Sequence, residues 1–284
     1  MRLPIKINKR NFPTWITKIF STKDDPRLLL SEGFVLSDFE SIVASIKIGD
    51  TWKSTRKNRH MLSDLMIVKA LKIINNPNIL EIGVSTGSTS LELLDQLCNK
   101  IGKYWATDLF FHFYAIQTGD VSYFYHPLNK RCIMRVSDLF LVYEEIKDSF
   151  PPFGWLASNF LTQAPLFNEE IAQKISFVHP TLLKRSDKDK RVIVCEHDVF
   201  QEWTHEKVHL IKVANVLNRY YFKDSMISSA IEKIKNALLP EGYLLIIDNR
   251  ALEQASLFVL KPDGKFVVSK VVIGGGEIKD LVCT

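Results

Sequence analysis

The sequence predicts an α/β protein: a doubly wound, mostly parallel sheet that ends in an antiparallel hairpin and carries a large insertion between its second and third strands. Three observations predict it. Short apolar runs alternate with helix-period segments from residue 78 to 248, the pattern of a parallel sheet covered on both faces. Two strand-like runs at 256–260 and 265–272 flank Lys261-Pro262-Asp263-Gly264, a hairpin signal. Residues 109–190, between the second and third strands, are too many for one structureless loop and read as an inserted lid or small subdomain.

The expected elements follow in order. Residues 1–55 form an N-terminal segment, irregular or partly helical, in which Trp15, Ile16, Ile19 and Phe20 share one helical face. That face either docks on the domain or lies on a membrane surface. The main domain spans 56–284. Its first helix runs from about 56 to 74, with Met61, Leu62, Leu65, Met66, Val68, Leu71 and Ile74 at helical spacing, and Asn75-Asn76-Pro77 stops it. NILEIG at 78–83 is a buried strand, 88–99 a helix with Leu91, Leu94 and Leu97 inward, and KYWATD at 103–108 the second strand. The insertion holds helices near 137–149 and 168–175 around Pro151-Pro152. RVIVC at 191–195, VHLIKVA at 208–214 and GYLLIID at 242–248 are the remaining parallel strands, the last reached from a helix at 225–239 through Pro240-Glu241-Gly242.

Composition bounds the function classes. The chain has 284 residues, 46% hydrophobic and 24% charged, which excludes a disordered or fibrous protein. No apolar run approaches the ~20 residues of a membrane span, and the basic start at 1–20 lacks the apolar core of a secretory signal. Cys98, Cys132, Cys195 and Cys283 lie far apart with no C-x-x-C pair, so neither a disulfide framework nor a common zinc site is expected, and the reading is a reduced, cytoplasmic protein without a metal. A net charge of +5 is mildly basic. The basic clusters Lys53–His60, Lys130–Arg135 and Lys184–Arg191 are either solvated surface or a site for an anionic substrate or RNA.

The strongest local signal is Glu81-Ile82-Gly83-Val84-Ser85-Thr86-Gly87-Ser88, at the exit of a strand and the start of a helix. Gly83 permits a tight turn, and Gly87 lets the backbone come close to a ligand. The spacing is neither the G-x-G-x-x-G of dinucleotide sites nor a P-loop. An acid at the strand end repels a pyrophosphate and suits a cationic or hydroxyl-bearing ligand. Adjacent Cys195, Glu196 and His197 point to opposite faces of an extended chain, which argues against metal binding there.

With residues 79–88 the chain resembles the class I S-adenosylmethionine-dependent methyltransferases, whose first motif is an acid followed by G-x-x-x-G. Asp108, closing the second strand, matches the family's ribose-binding acid, and Asp198 after the third strand matches the acid near the adenine amino group. The resemblance spans about 78–248, interrupted by the insertion. It implies a Rossmann-like sheet, S-adenosyl-L-methionine as cofactor, and methyl transfer by direct in-line displacement. The residues it assigns to the cofactor are Glu81, Gly83, Ser85 and Gly87, with Asp108, Asp198, Val199 and Asn215. The chain departs from the family at Ser85, often a glycine, and at Lys212, inside the fourth strand, which either points outward or serves a local ion pair. Asn215-Val216-Leu217 with Tyr220-Tyr221-Phe222 is faintly similar to the chemotaxis-receptor glutamate methyltransferases.

The cofactor carries the hard chemistry, so no universal catalytic residue follows. His112, His126, His179 and His197 are candidate bases or structural histidines, and Asn215 is a further candidate near the cofactor or the acceptor. The aromatics between Tyr104 and Tyr125 either pack a core or line an apolar or aromatic acceptor pocket, with base stacking a third use. The reading is a methyltransferase for a small-molecule acceptor. Its alternatives are an RNA or protein methyltransferase and a non-catalytic partner built on the same fold.

Overall fold

A computed structural model of the chain describes residues 4–11, 13, 22–31, 34–48, 51–53, 58–98, 100–144, 151–249 and 252–283. The proposed helical face of Trp15, Ile16, Ile19 and Phe20 lies outside the described residues. The chain divides into two compact units: 1–55 with 110–178, and 56–109 with 179–284. The insertion boundaries therefore fall at 110 and 178, not at 109 and 190, and the N-terminal segment belongs to the inserted unit.

Residues 1–55 contribute strands β1 (Ile5–Asn8), β2 (Thr22–Lys23), β3 (Lys47–Ile48) and β4 (Thr51–Trp52) and the short helix α1 (Phe39–Val43). Residues 56–109 contribute α2 (Met61–Ala70), β5 (Ile79–Ile82), α3 (Ser88–Gln96) and β6 (Tyr104–Asp108). The inserted stretch holds β7 (His112–Thr118), β8 (Val121–Tyr125), β9 (Cys132–Val136), β10 (Phe140–Tyr143), α4 (Pro151–Thr162) and β11 (Gln173–Ser176). The remainder holds α5 (Pro180–Lys188), β12 (Val192–Glu196), β13 (Val208–Ala214), α6 (Asp224–Ala237), β14 (Leu238–Asn249), β15 (Glu253–Leu260), β16 (Phe266–Val272) and α7 (Lys279–Val282).

In the unit built from 56–109 and 179–284, the strand order is β12-β6-β5-β13-β14-β15-β16. The first five run parallel, and β15 and β16 add antiparallel. Buried parallel strands need side chains that are apolar on both faces, which ILEI of β5 and VHLIKVA of β13 nearly supply. Helix α6 covers this sheet because Ile227, Ala230, Ile231 and Ile234 recur at helical spacing and are buried. Each isoleucine contributes roughly 1.5–3 kcal/mol relative to exposure. Leu238 then turns extended and the chain enters β14 directly, with a bulge across 239–242 where Glu241 has φ +60°. Chain order reverses between β5 and β13, since the second and third strands of the sheet lie on one side and the fourth and fifth on the other. Ligands of open α/β sheets bind outside the carboxyl ends of the strands at such a switch point.

The other unit is a second sheet, β11-β7-β8-β9-β10-β1-β2, antiparallel except for β1 with β2. In place of the helices expected near 137–149 and 168–175 the described residues hold strands β10 at 140–143 and β11 at 173–176, with turns before them. Leu141, Val142 and Tyr143 are all buried and the strand pairs with both β1 and β9, so long-range pairing overrides local pattern. The helix of this stretch begins instead at Pro151-Pro152, where a missing N–H costs nothing. Phe113, Phe124 and Tyr125 are buried here and Tyr143 donates to Ser45 O at 2.8 Å, so the aromatics from 110 to 125 serve as a sheet core. Asn8 Nδ2 donates to Asp25 Oδ2 and Ser137 O, tying the N-terminal segment to the inserted strands.

Candidate functional site

The turn from β5 to α3 has left-handed backbone at Gly83 (φ +80°), Ser85 (φ +55°) and Gly87 (φ +80°). Hydrogen bonds to the neighbouring strand end fix it. Gly83 N–H and Val84 N–H both donate to Thr107 O, at 2.8 and 3.0 Å, and Thr107 Oγ1 donates back to Glu81 O at 2.9 Å. Ser85 N–H donates to Asp108 Oδ2 at 2.7 Å, so the carboxylate that closes β6 is held by the glycine turn. Ser85 Oγ is buried with no hydrogen-bond partner, a polar atom suited to a ligand's hydroxyl. Thr86 O accepts the N–H of His179, whose Nδ1 in turn accepts Thr181 N–H at the start of α5.

The glycines also answer to packing. A Cβ on Gly83 would overlap Val216 Cγ2, and one on Gly87 would overlap Leu182 Cδ2. Both positions thus admit a neighbouring side chain of the same unit.

Glu81 does not stand alone at its strand end. Lys212 Nζ, on β13, lies 2.8 Å from Asp64 Oδ1 and 2.9 Å from Glu81 Oε1, and the three side chains are at most 1% exposed. The hydroxyl of buried Tyr104 donates to Glu81 Oε2. Burial works against the Lys212 ammonium, but the Glu81 and Asp64 carboxylates outweigh it and hold its pKa up at about 12. Asp64 is pushed up to about 6, by burial first and by the competing carboxylates of Glu81 and Glu253, against the pull of Lys212. Lys212 therefore serves a local ion pair and does not point outward.

This cluster explains why α2 presents a different face from the one expected. Met61, Leu62 and Leu65 are exposed, while Ser63, Asp64, Met66 and Ile67 are buried. Asp64 is drawn in by Lys212, and Ser63 N–H and Oγ both donate to Glu253 Oε1. At the same helix start, Arg59 Nη2 donates to Asn249 O and Asn249 Nδ2 to Arg59 O. Asn215, left-handed at φ +57°, accepts Asn249 N–H at 2.6 Å on Oδ1. His60 is 4% exposed, and neither ring nitrogen has a hydrogen-bond partner. Burial, then the charges of Lys212 and Arg59, hold it neutral.

Of the remaining sequence candidates, His197, Asp198 and Val199 follow β12, whose last residue Glu196 pairs with Asp108, whereas His112 and His126 do not share this unit. Asp198 Oδ1 accepts Phe200 N–H at 3.0 Å in a local turn, and Val199 is buried in the sheet's core. His197 N–H donates to Asp108 O, and the ring stands edge-on to Trp203. His112 and His126 belong to the other unit, where each contacts an aromatic ring, Tyr114 and Phe110 respectively. His60, Asp64, Tyr104 and Glu253 were missed as site residues. The one sequence signal for them was polarity on an otherwise apolar face or strand, shared with Lys212 at 208–214. Among the described residues no group of three metal-ligating side chains occurs.

An adenosyl group with a sulfonium can be tested against these residues. Asp108, fixed by the turn, and the orphan Ser85 Oγ fit the hydroxyls of a ribose. Glu81 fits the cationic end only through the buried cluster, since its carboxylate already bonds Lys212 and Tyr104.

No protein-family model matches the chain, and no curated protein matches it. Similar solved structures include several methyltransferases. The N-methyltransferase NodS from Bradyrhizobium japonicum WM9, in complex with S-adenosyl-L-homocysteine, matches at 16% identity and TM-score 0.36, over 70% of this chain and 66% of its own. A methyltransferase from Clostridium acetobutylicum ATCC 824 matches at 10% identity and TM-score 0.34, over 76% and 73%. Human N-acetylserotonin methyltransferase, in complex with S-adenosylmethionine, matches at 14% identity and TM-score 0.32, over 66% of this chain and 34% of its own. The chain thus spans just under two thirds of NodS and about a third of the human enzyme. At these identities and scores the neighbours bear on neither the substrate nor the site residues of this chain.

Proposed function

We propose that the unit formed by 56–109 and 179–284 is an S-adenosyl-L-methionine-dependent methyltransferase domain acting on a small-molecule acceptor. The observation that carries this reading is the bond from Ser85 N–H to Asp108 Oδ2, which joins the left-handed glycine turn to a strand-end carboxylate beside the switch point. A rigid carboxylate there is a ready acceptor for vicinal hydroxyls. Asp108 and Ser85 would hold the ribose, Asp198 and Val199 the adenine, and Glu81, Gly83, Gly87 and Asn215 the methionine side. When bound, the cofactor supplies an electrophilic methyl group on a sulfonium. The chain's own work is to orient the two partners and exclude water. No general base is assigned. The setting we read for it is reduced and cytoplasmic, because four widely spaced cysteines suit no disulfide framework.

The test is calorimetric titration of the full chain with S-adenosylhomocysteine. Binding to the unmodified chain is expected, with a loss of about 30- to 100-fold in Asp108→Ala, as suits a charged acceptor removed from hydroxyls. Unchanged affinity in a folded Asp108→Ala chain overturns the assignment.

A second reading, a non-catalytic partner that lost the nucleoside site, is favoured by Val216 and Leu182 filling the space beside Gly83 and Gly87. It predicts no binding to the unmodified chain. An RNA substrate draws less support: Lys130–Arg135 belongs to the other unit, and Arg185 and Arg191 are bound to Asp95 and Asp189.

A further inference from the structure

In the unit formed by 1–55 and 110–178, two loop tips stand side by side where β8 turns into β9. The first is the turn 126–131. It is tied across its base, where His126 N–H donates to Arg131 O and Lys130 N–H to His126 O, and Leu128 N–H donates to His126 Nδ1. The second is the segment 163–172 that follows α4. The Tyr125 hydroxyl donates to Pro165 O at 2.7 Å, and the Phe167 ring stands edge-on to Tyr114 and Tyr125, with centroids 5.3 and 5.4 Å away. Lys130 joins the two tips. Its Nζ lies 3.7 Å from the centre of the Tyr114 ring and 5.3 Å from that of Phe167, and it donates to Pro127 O.

This bracing holds apolar side chains out in water. Leu128 is 69% exposed, Leu166 93% and Ile171 62%. Phe167 packs on the cluster of Ile116, Tyr123 and Tyr125, while Leu166 beside it has almost no neighbour. Helix α4 leads into the second tip, exposes Trp155 and Leu156, and belongs to a stretch, 151–168, that carries no charge. Single exposed leucines are ordinary on a protein surface. Leucines on two adjacent tips, locked outward by hydrogen bonds and ring contacts, are a grouped feature that the unit does nothing to cover.

Shape and charge decide what covers them. A protein partner takes a broad complementary surface of about 800 Å² a side, with its anchors set in pockets. Two convex tips offer points instead, and Leu166 has nothing around it to frame a pocket. A bilayer closes around points, and its interface accepts leucine and tryptophan side chains without a matching shape. The charges beside the tips are of both signs. Lys130 and Arg131 lie on the first, Arg131 paired with Glu144, and Glu169 and Glu170 lie on the second. That mixture matches a headgroup layer that itself carries phosphate and ammonium together.

We propose that the tips bearing Leu128 and Leu166 are a peripheral membrane contact, seating this unit on a zwitterionic lipid surface with the leucines in the interface. The contact is made by a few side chains and is not a span; among the described residues no helix is long and apolar enough to cross a membrane. The proposal concerns this unit alone and does not rest on the methyltransferase reading.

The experiment is co-sedimentation of the full chain with vesicles of phosphatidylcholine and phosphatidylethanolamine, beside light scattering of the chain without lipid. Half of the chain is expected on the vesicles at ~0.1–1 mM lipid, the range of a single weak apolar anchor. Raising the salt to about 0.5 M should move that midpoint less than about twofold, because apolar contact carries the binding. Leu128→Ser together with Leu166→Ser should raise it by about tenfold or more. Both side chains are mostly in water, so the double variant should fold as the unmodified chain does. No binding at ~5 mM lipid, or a midpoint indifferent to the double variant, overturns the proposal. Binding only to vesicles with added phosphatidylserine, released by salt, also overturns it and assigns the contact to the basic residues. Self-association of the lipid-free chain that the double variant abolishes overturns it in favour of a second copy of the chain.

Discussion

Replacing Lys212 by methionine removes a charge that the structure places wholly inside the protein. Its ammonium lies 2.8 Å from Asp64 and 2.9 Å from Glu81, with the lysine 0% exposed and both acids 1% exposed. The aliphatic stem is matched by methionine, so the packing loss is small. The electrostatic loss is not, because two carboxylates are left buried without a counter-ion. Breaking a buried pair from one side costs about 3–5 kcal/mol, a large share of the ~5–15 kcal/mol that holds a domain folded. Equilibrium unfolding in urea measures this. Trp105, 1% exposed on β6, reports on this unit, and Trp52 reports on the other. The transition seen by Trp105 should move to lower denaturant. Adding Glu81→Gln and Asp64→Asn to Lys212→Met should restore most of the loss, since neutral amides need no counter-ion. A loss below about 1 kcal/mol in the single variant, or no recovery in the triple one, would refute the buried cluster as the organiser of this end of the sheet.

Two further outcomes follow from the same geometry. Gly83→Ala should destabilise by about 1–2 kcal/mol for its left-handed backbone, with ~1–3 kcal/mol more for overlap with Val216; Val216→Ala in the same chain should return only the second part, read by thermal unfolding. Asp64 supplies a pH signature. Its folded pKa of about 6 lies above its ordinary 3.8, so the folded chain holds this proton more tightly, and the contribution to stability is lost as pH rises from about 4 to 6. Relative to Asp64→Asn, the unmodified chain should lose ~3 kcal/mol across that interval. A difference that stays flat with pH would place Asp64 in water.

The glycine turn and the strands beside it were legible because their determinants are local. An apolar run ended by Gly83, a second glycine at Gly87, and an acid closing the next strand all act within a few residues of themselves, whereas the left-handed backbone of Ser85 was not foreseen. The switch point was legible at one remove, since alternating strands and helices leave few ways to order a parallel sheet. The inserted unit was not. Residues 140–143 are a strand because β9 and, from residues 5–8, β1 lie on either side of them, and residues 173–176 are a strand because β7 lies beside them.

The sequence by itself determined where the glycine turn would form and which acids would close the strands near it. Tertiary structure alone decided what Glu81 does. Its partner Lys212 sits on another strand, and the acid that shares Lys212 comes from α2, 148 residues away along the chain. Charge is recorded in the sequence, but burial is not. Whether an ammonium and two carboxylates are three solvated surface groups or one ionic cluster depends on which elements the fold stacks over them and how far water is kept away.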